Sequence, residues 1–130
     1  MTPAIAGYRD TFQPHFPFGI PAEDSMRLEV GFRSPVRLTP EVYAKCVVWT
    51  EAENLRKHTC QDEDGRWWDL LYMAALSANT HPDLSATLFC LYVVPAAGFS
   101  CSPVRTILKL EISHNVAAGD FLLISFPWEN

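Results

Sequence analysis

Four carboxylates lie close together in the middle of the chain, and their type and spacing could support chemistry. They are Asp62, Glu63, Asp64 and Asp69. Such a cluster could bind a hard divalent cation or share a proton in acid–base catalysis. It does not match an EF-hand loop, because Gly65 is followed by Arg66 and two tryptophans instead of further oxygen ligands. We therefore expect no metal, and interpret the cluster as a solvated turn or as an acidic patch that binds a partner.

Histidine and cysteine side chains form the second set that could do chemistry, as zinc ligands or as a Cys–His nucleophile pair. His58 and Cys60 are two positions apart, but the other cysteines, Cys46, Cys90 and Cys101, have no partner at close spacing. Structural zinc sites bring their ligands in close pairs, so we expect no zinc and four reduced, mostly buried thiols. Nucleophile-elbow, P-loop and dinucleotide-binding motifs are also missing from the sequence. No catalytic residue and no cofactor is predicted.

The composition favours one soluble domain. The chain has 130 residues, of which 48% are hydrophobic and 19% are charged, and its formal net charge is -5. This charge disfavours direct binding to nucleic acid, even though Arg27, Arg33, Arg37 and the pair Trp67-Trp68 could contact it. No window is long and apolar enough to span a membrane, and no basic, apolar leader opens the chain. We expect a cytosolic protein.

The first 25 residues differ from the rest, because prolines and aromatic residues interleave along them. Proline is excluded from helix interiors, so an extended arm is predicted over residues 1–25, followed by one domain over residues 26–130. Clustered aromatic side chains need a surface to bury on, either the domain's own flank or a partner. The candidate anchors for a partner are Phe12, Phe16 and Phe18 in the arm and Trp128 near the other end.

Periodicity and capping residues predict the elements of the first half. Alternating side chains predict a strand over residues 27–31. Thr39-Pro40-Glu41 predicts the start of a helix that runs to about Lys57, since threonine caps a helix and proline suits its first position. Asp64-Gly65 predicts a tight turn that could close a small hairpin. A helix that is apolar on nearly all sides follows over residues 67–78.

The last third changes to β-branched and aromatic residues, and predicts antiparallel strands over residues 87–94, 104–112 and 121–126. Within the second strand, Leu108 and Leu110 alternate with Lys109 and Glu111, which predicts one dry and one wet face. The expected fold is α+β: two helices packed on one face of a three- to four-stranded antiparallel sheet, preceded by the extended arm.

Residues 34–95 resemble an uncharacterised family of small proteins carried on bacterial plasmids and other mobile elements. The matching segments are Pro35-Val36-Arg37-Leu38-Thr39, Cys46 with Trp49-Thr50, the run from Gln61 to Ala74, and Leu91-Tyr92-Val93-Val94-Pro95. The resemblance covers roughly half of the chain and implies a setting of mobile DNA in the bacterial cytosol, without any catalytic residue. The first 25 residues and the end of the chain depart from the pattern.

Together these observations predict a non-enzymatic protein-binding module of a bacterial mobile element. Its expected form is an inhibitor of a host defence complex, such as a CRISPR effector, that occludes a nucleic-acid-binding or subunit surface. The acidic cluster would meet lysines and arginines of the partner, and the aromatic anchors would fill its pockets. Two alternatives stay open. One is a metal-dependent hydrolase or nuclease that uses Asp62, Asp64 and Asp69 with His58 as the general base; the other is a plasmid-maintenance accessory protein that self-associates through an exposed sheet edge.

Overall fold

Strands from both halves of the chain pair in one mixed sheet in the computed structural model, which describes residues 17–129. The strands are β1 (Ile20–Pro21), β2 (Val36–Leu38), β3 (Ala86–Val93), β4 (Val104–Ser113) and β5 (Phe121–Ser125). Their order in space is β1-β2-β5-β4-β3. The predicted antiparallel strands of the last third are confirmed, whereas β1, β2 and the parallel pairing of β2 with β5 were not expected.

Four α-helices accompany the sheet in the described part of the chain. They are α1 (Asp24–Val30), α2 (Pro40–Val42), α3 (Glu51–Lys57) and α4 (Glu63–Thr80), and a π-helical turn (Tyr43–Val47) continues α2. The core lies between α4, the π-helical turn and one face of the sheet, where Leu38, Leu71, Leu108 and Ile124 are fully buried. The α+β class is therefore correct, with more helices and more strands than the sequence indicated.

The strand predicted over residues 27–31 is wrong, because this segment is the last part of α1. Gly31 adopts a left-handed conformation with φ 110° and donates its N–H to the Leu28 carbonyl at 3.1 Å. The next residue, Phe32, donates its N–H to the Arg27 carbonyl at 2.8 Å. These two bonds form the usual glycine stop of a helix. The apparent alternation over so few residues fitted a helix end equally well.

The single helix predicted from Thr39 to Lys57 is interrupted. Its start is confirmed, since the Thr39 hydroxyl accepts a hydrogen bond from the backbone N–H of Val42 at 3.3 Å. The chain leaves the helix after the π-helical turn and starts α3 at a new cap, where the Thr50 N–H donates to the Glu53 carboxylate at 2.7 Å. A threonine followed three positions later by glutamate is a capping box, which begins a helix instead of continuing one.

The hairpin predicted at Asp64-Gly65 is also wrong, because both residues lie in the first turn of α4. The Asp62 carboxylate accepts a hydrogen bond from the Gly65 N–H at 2.7 Å, so Asp62 is the helix cap. A turn centred on Asp64-Gly65 would need the Arg66 N–H for the Glu63 carbonyl, but this N–H donates to the Asp62 carbonyl at 3.1 Å, as in a helix. Asp64 and Gly65 therefore belong to a helix of 18 residues.

Candidate functional site

The four clustered carboxylates have different tasks in the structure. Asp62 caps α4, and the Glu63 carboxylate accepts a hydrogen bond from the Tyr43 hydroxyl at 3.0 Å, which ties α4 to the π-helical turn. Asp64 and Asp69 are exposed and make no hydrogen bond or close ion pair within residues 17–129. The cluster therefore divides into two residues that hold the start of α4 and two whose charges face solvent.

The solvent side of α4 carries an apolar stripe beside these two free carboxylates. Asp64, Trp68, Tyr72 and Leu76 follow one another at four-residue spacing, which places them along one side of a helix. The rings of Trp68 and Tyr72 stack with centroids 6.3 Å apart. Tyr72 is 48% exposed and Leu76 is 44% exposed. We call Asp64, Trp68, Asp69, Tyr72 and Leu76 the outer face of α4.

The sequence analysis missed Tyr72 and Leu76, since the helix was interpreted as apolar on nearly all sides and therefore central. Its opposite side is central: Leu70, Leu71 and Ala74 are fully buried. The signal that could have separated the two sides is the spacing itself, because Trp68, Tyr72 and Leu76 repeat every four residues while the buried residues occupy the positions between them.

The aromatic anchors predicted outside the acidic cluster lie elsewhere. Phe12 and Phe16 are outside the described residues. Phe18 is half-buried and lines a shallow groove with Phe121 and Leu123. Since Leu122 and Ile124 of β5 pack in the core beneath the helices, alternation along the strand directs Phe121 and Leu123 to the opposite face of the sheet.

Trp128 follows β5 and is exposed. Its ring stacks on Phe126 with centroids 4.5 Å apart and planes 8° apart. The neighbouring Glu129 carboxylate accepts hydrogen bonds from the Thr39 hydroxyl at 2.9 Å and from the Phe126 N–H at 2.7 Å. The segment after β5 is thus attached to the start of α2, and the structure does not bring Trp128 into the outer face of α4.

Among the described histidines and cysteines, Cys60 lines one groove with Asp62 and Asp69. Within residues 17–129, no group of three or more His, Cys, Asp or Glu side chains could hold a metal ion. His58, the general base of the hydrolase alternative, ends α3 in a left-handed conformation with φ 56° and is exposed. The four cysteines are free thiols, but the expectation that most are buried is wrong: Cys46 is buried, Cys90 is half-buried, and Cys60 and Cys101 are exposed. Burial raises the pKa of the Cys46 thiol to about 11, against the opposing effect of the positive charges of Arg66 and Lys45.

Arg66 is buried and fastens the start of α4 to its surroundings. Its guanidinium donates to the Val47 carbonyl at 3.1 Å, to the Val94 carbonyl at 3.2 Å and to the Gln61 side-chain oxygen at 2.7 Å. The π-helical turn ends at Val47, so Arg66 satisfies a carbonyl that this turn leaves free. Burial lowers the pKa of Arg66 from its ordinary value.

A cavity of about 450 Å³ lies between the π-helical turn and the loop that joins β3 to β4. Its lining is mostly apolar and includes Cys46, Val104 and Phe126. The buried Lys57 ammonium holds the loop by donating to the Ala97 carbonyl at 2.9 Å and to the Ser100 carbonyl at 2.7 Å. These contacts fix the wall of the cavity through main-chain carbonyls.

Lys57 and Arg66 exemplify a wider use of basic side chains. In the described part of the chain, five of them donate hydrogen bonds to main-chain carbonyls: Arg27, Arg37, Arg56, Lys57 and Arg66. Burial is nearly complete for Lys57 and Arg66, whereas Arg56 remains exposed.

Comparisons of the chain with protein-family models, with curated proteins and with solved structures found no match. The resemblance of residues 34–95 to mobile-element proteins stays a prediction. Among residues 17–129, no helix has both the length and the apolar character needed to cross a membrane.

Proposed function

We propose that the chain is a non-enzymatic, cytosolic protein-binding module and that the outer face of α4 is its binding surface. The observation that carries this proposal is the juxtaposition of a half-buried Trp68 and an exposed Tyr72 with two exposed carboxylates on one helix. Tryptophan and tyrosine are enriched among the residues that dominate protein–protein binding energy. Trp68 and Tyr72 are already stacked on each other, so a partner would not have to order two freely rotating rings.

The partner surface that complements this face is an apolar pocket bordered by lysines or arginines. Asp64 and Asp69 form no salt bridge within the described residues, although the charge of Arg66 also acts on Asp69. A partner can therefore supply a cation without breaking a salt bridge. Complementary charges speed association and select against acidic competitors. Basic pockets of this kind are common where proteins bind nucleic acid, because the phosphate backbone is neutralised by lysine and arginine.

A host defence complex offers such a surface in its nucleic-acid channel. A small acidic module that occupies the channel would exclude the nucleic acid, and this is the specific form of the proposal. Its support is the charge arrangement described above together with the resemblance of residues 34–95 to proteins of bacterial mobile elements. The mode of action needs no chemical step on the chain itself.

The test is affinity capture of the tagged chain from a bacterial lysate that contains defence complexes. We expect a stoichiometric protein complex with the wild type and its loss with Asp64→Lys/Asp69→Lys. These two positions are preferred to Asp62 and Glu63, whose carboxylates hold the start of α4. Binding through the two aspartates should also weaken as the salt concentration rises.

The matched control is Glu29→Lys/Asp83→Lys, which changes the net charge equally at exposed positions on other segments. Capture should survive in this control. Equal loss in both double variants would show that only net charge matters, and equal capture by both would remove the outer face of α4 as the binding surface. Either result would overturn the proposal.

A further inference from the structure

The two edges of the sheet are built differently. At one edge, β1 has only two residues and ends in Pro21. Short edge strands and prolines prevent the addition of a further strand. At the other edge, β3 has eight residues, Ala-Thr-Leu-Phe-Cys-Leu-Tyr-Val, without charge, proline or glycine. The features that normally protect an edge strand are therefore present in β1 and missing from β3.

Hydrogen bonds show which residues of β3 direct their backbone outward. The Ile112 N–H donates to the Ser85 carbonyl at 3.0 Å, so Ser85 faces β4. The Leu88 carbonyl faces away from β4, where it accepts a hydrogen bond from the Ser77 hydroxyl at 3.3 Å. Because the direction alternates along a strand, Cys90 and Tyr92 also direct their N–H and C=O groups outward. Within residues 17–129, these four groups have no hydrogen-bond partner.

We infer that β3 pairs antiparallel with β3 of a second copy of this chain, about a two-fold axis that passes beside Cys90. Unpaired backbone donors and acceptors in a straight row are complementary to another strand. In this register Cys90 lies opposite Cys90 of the second copy, and Leu88 lies opposite Tyr92. The outward groups of each residue then exchange hydrogen bonds with those of its counterpart.

The side chains on the face of β3 opposite the helices are self-complementary in this register. Leu88 is 58% exposed and Tyr92 is 66% exposed, and each would cover the other across the new pair. Cys90 is flanked on β4 by Ile107, so two cysteines and two isoleucines would meet around the axis. Such apolar cross-strand contacts stabilise a sheet, whereas like charges at opposite positions would destabilise it.

The second copy is favoured over an unrelated peptide because β3 is complementary to itself in two ways. Its outward N–H and C=O groups face each other across the axis, and its exposed apolar side chains cover each other. A two-fold axis also limits the assembly to two copies, since the same edge is used by both. The protected β1 edge cannot continue the sheet into a fibre. The Leu88 carbonyl accepts hydrogen bonds from the Ser77 hydroxyl at 3.3 Å and from the Thr87 hydroxyl at 3.4 Å. A carbonyl oxygen accepts two hydrogen bonds, so one of these exposed hydroxyls must turn away when Leu88 pairs with the second copy.

The test is sedimentation equilibrium of the full chain under reducing conditions, so that no exposed thiol can form a cross-link. We expect a dimer for the wild type, and at least ~10-fold weaker association for both Cys90→Lys and Cys90→Glu, because each places like charges at the axis. An equimolar mixture of the two variants should dimerise again at low salt. Rescue by opposite charges would show that residue 90 faces its own counterpart.

The control pair is Leu55→Lys and Leu55→Glu, which introduce the same charges at an exposed apolar position on α3; both should dimerise like the wild type. A second measurement on the unmodified chain is hydrogen exchange at the amides of Leu88, Cys90 and Tyr92, which should slow as the protein concentration rises. A wild type that stays monomeric at about 1 mM, a dimer unaffected by either Cys90 variant, or concentration-independent exchange at these amides would overturn the inference.

Discussion

The guanidinium carbon of Arg66 lies 4.4 Å from the centroid of the Trp49 ring. This contact joins the first turn of α4 to the segment between the π-helical turn and α3, at the point where the predicted long helix is interrupted. The indole N–H of Trp49 donates to the Asn54 side-chain oxygen at 2.8 Å, so the ring is held from both sides. A cation over an indole face is favourable, more so when it is shielded from water.

Arg66 should be among the residues on which stability depends most. Arg66→Ala would leave the Val47 and Val94 carbonyls without their donor, and we expect the free energy of unfolding to fall by about 3 kcal/mol or more. Arg66→Lys should recover only part of this loss, because an ammonium cannot reproduce the planar fork of the guanidinium. Urea unfolding measures both, with the exposed Arg33→Ala as the control; equal stability of all three variants would contradict the role given to Arg66.

Cys46 should make stability fall at high pH. Its native pKa of about 11 exceeds the ordinary value of 9.0, so between these values the folded state holds a proton that the unfolded chain has lost. The free energy of unfolding should therefore fall as the pH rises from about 9 to 11, by roughly 2 to 3 kcal/mol from this thiol alone. Unfolding curves of Cys46→Ala over the same range should lack this component, and parallel curves for both proteins would contradict it.

The capping box of α3 should contribute stability that disappears in acid. Hydrogen bonding to the Thr50 side chain is the main cause that holds the pKa of Glu53 below its ordinary value of 4.5. A lowered carboxyl pKa stabilises the fold above the ordinary value and loses this effect as the pH falls through the native value. We expect Thr50→Ala to lower the free energy of unfolding by about 1 kcal/mol at neutral pH. The loss should be smaller below pH 4.5, and urea unfolding at neutral pH and in acid measures the difference. A constant difference would contradict the capping role.

The loop between β3 and β4 should become cleavable when Lys57 loses its ammonium. Lys57→Met keeps the length of the side chain but removes the donor to the Ala97 and Ser100 carbonyls, so we expect a loss of about 1 to 2 kcal/mol in global stability. Chymotrypsin should then cut several-fold faster after Phe99, which is 83% exposed in this loop. Lys45→Met, at an exposed lysine, is the control. Unchanged cleavage at Phe99 would show that the loop does not need Lys57.

The two sides of α4 should respond differently to truncation. Leu71 is fully buried, and Leu71→Ala should lower the free energy of unfolding by about 2 to 5 kcal/mol. Leu76 lies on the outer face, and Leu76→Ala should change it by less than about 0.5 kcal/mol. Thermal or urea unfolding of the two variants tests this contrast. A large loss for Leu76→Ala would mean that the outer face is needed for folding and would weaken its assignment as a binding surface.

The elements that the sequence predicted correctly are those specified by neighbouring residues. Thr39 and Pro40 start a helix locally, and the β-branched runs that became β3 and β4 pair with each other across one loop. The errors arose where two local signals compete. Asp64-Gly65 is a turn signal, but Asp62 caps a helix at the same place by accepting the Gly65 N–H. The parallel pairing of Val36–Leu38 with β5 joins segments far apart in the chain, and no local pattern encodes it.

For the proposed binding surface, the sequence indicated the charged residues but not the apolar ones. Asp64 and Asp69 were candidates from their spacing alone, and in the structure both are exposed and form no salt bridge within residues 17–129. Tyr72 and Leu76 were missed because an apolar residue on a helix looks the same whether it faces the core or solvent until the neighbouring elements are known. Phe18 and Trp128 were chosen for their residue type, and their positions depend on contacts that only the folded chain provides.

The position of β5 has a consequence for how the protein is made. This strand is synthesised last of the five, yet it lies in the middle of the sheet between β2 and β4. While the chain is still growing on the ribosome, β1 with β2 and β3 with β4 can form only separate pairs, each with an open side where β5 belongs. A chain that stalls or is cut before Phe121 cannot join these halves. Translation must therefore pass β5 before the native sheet can form.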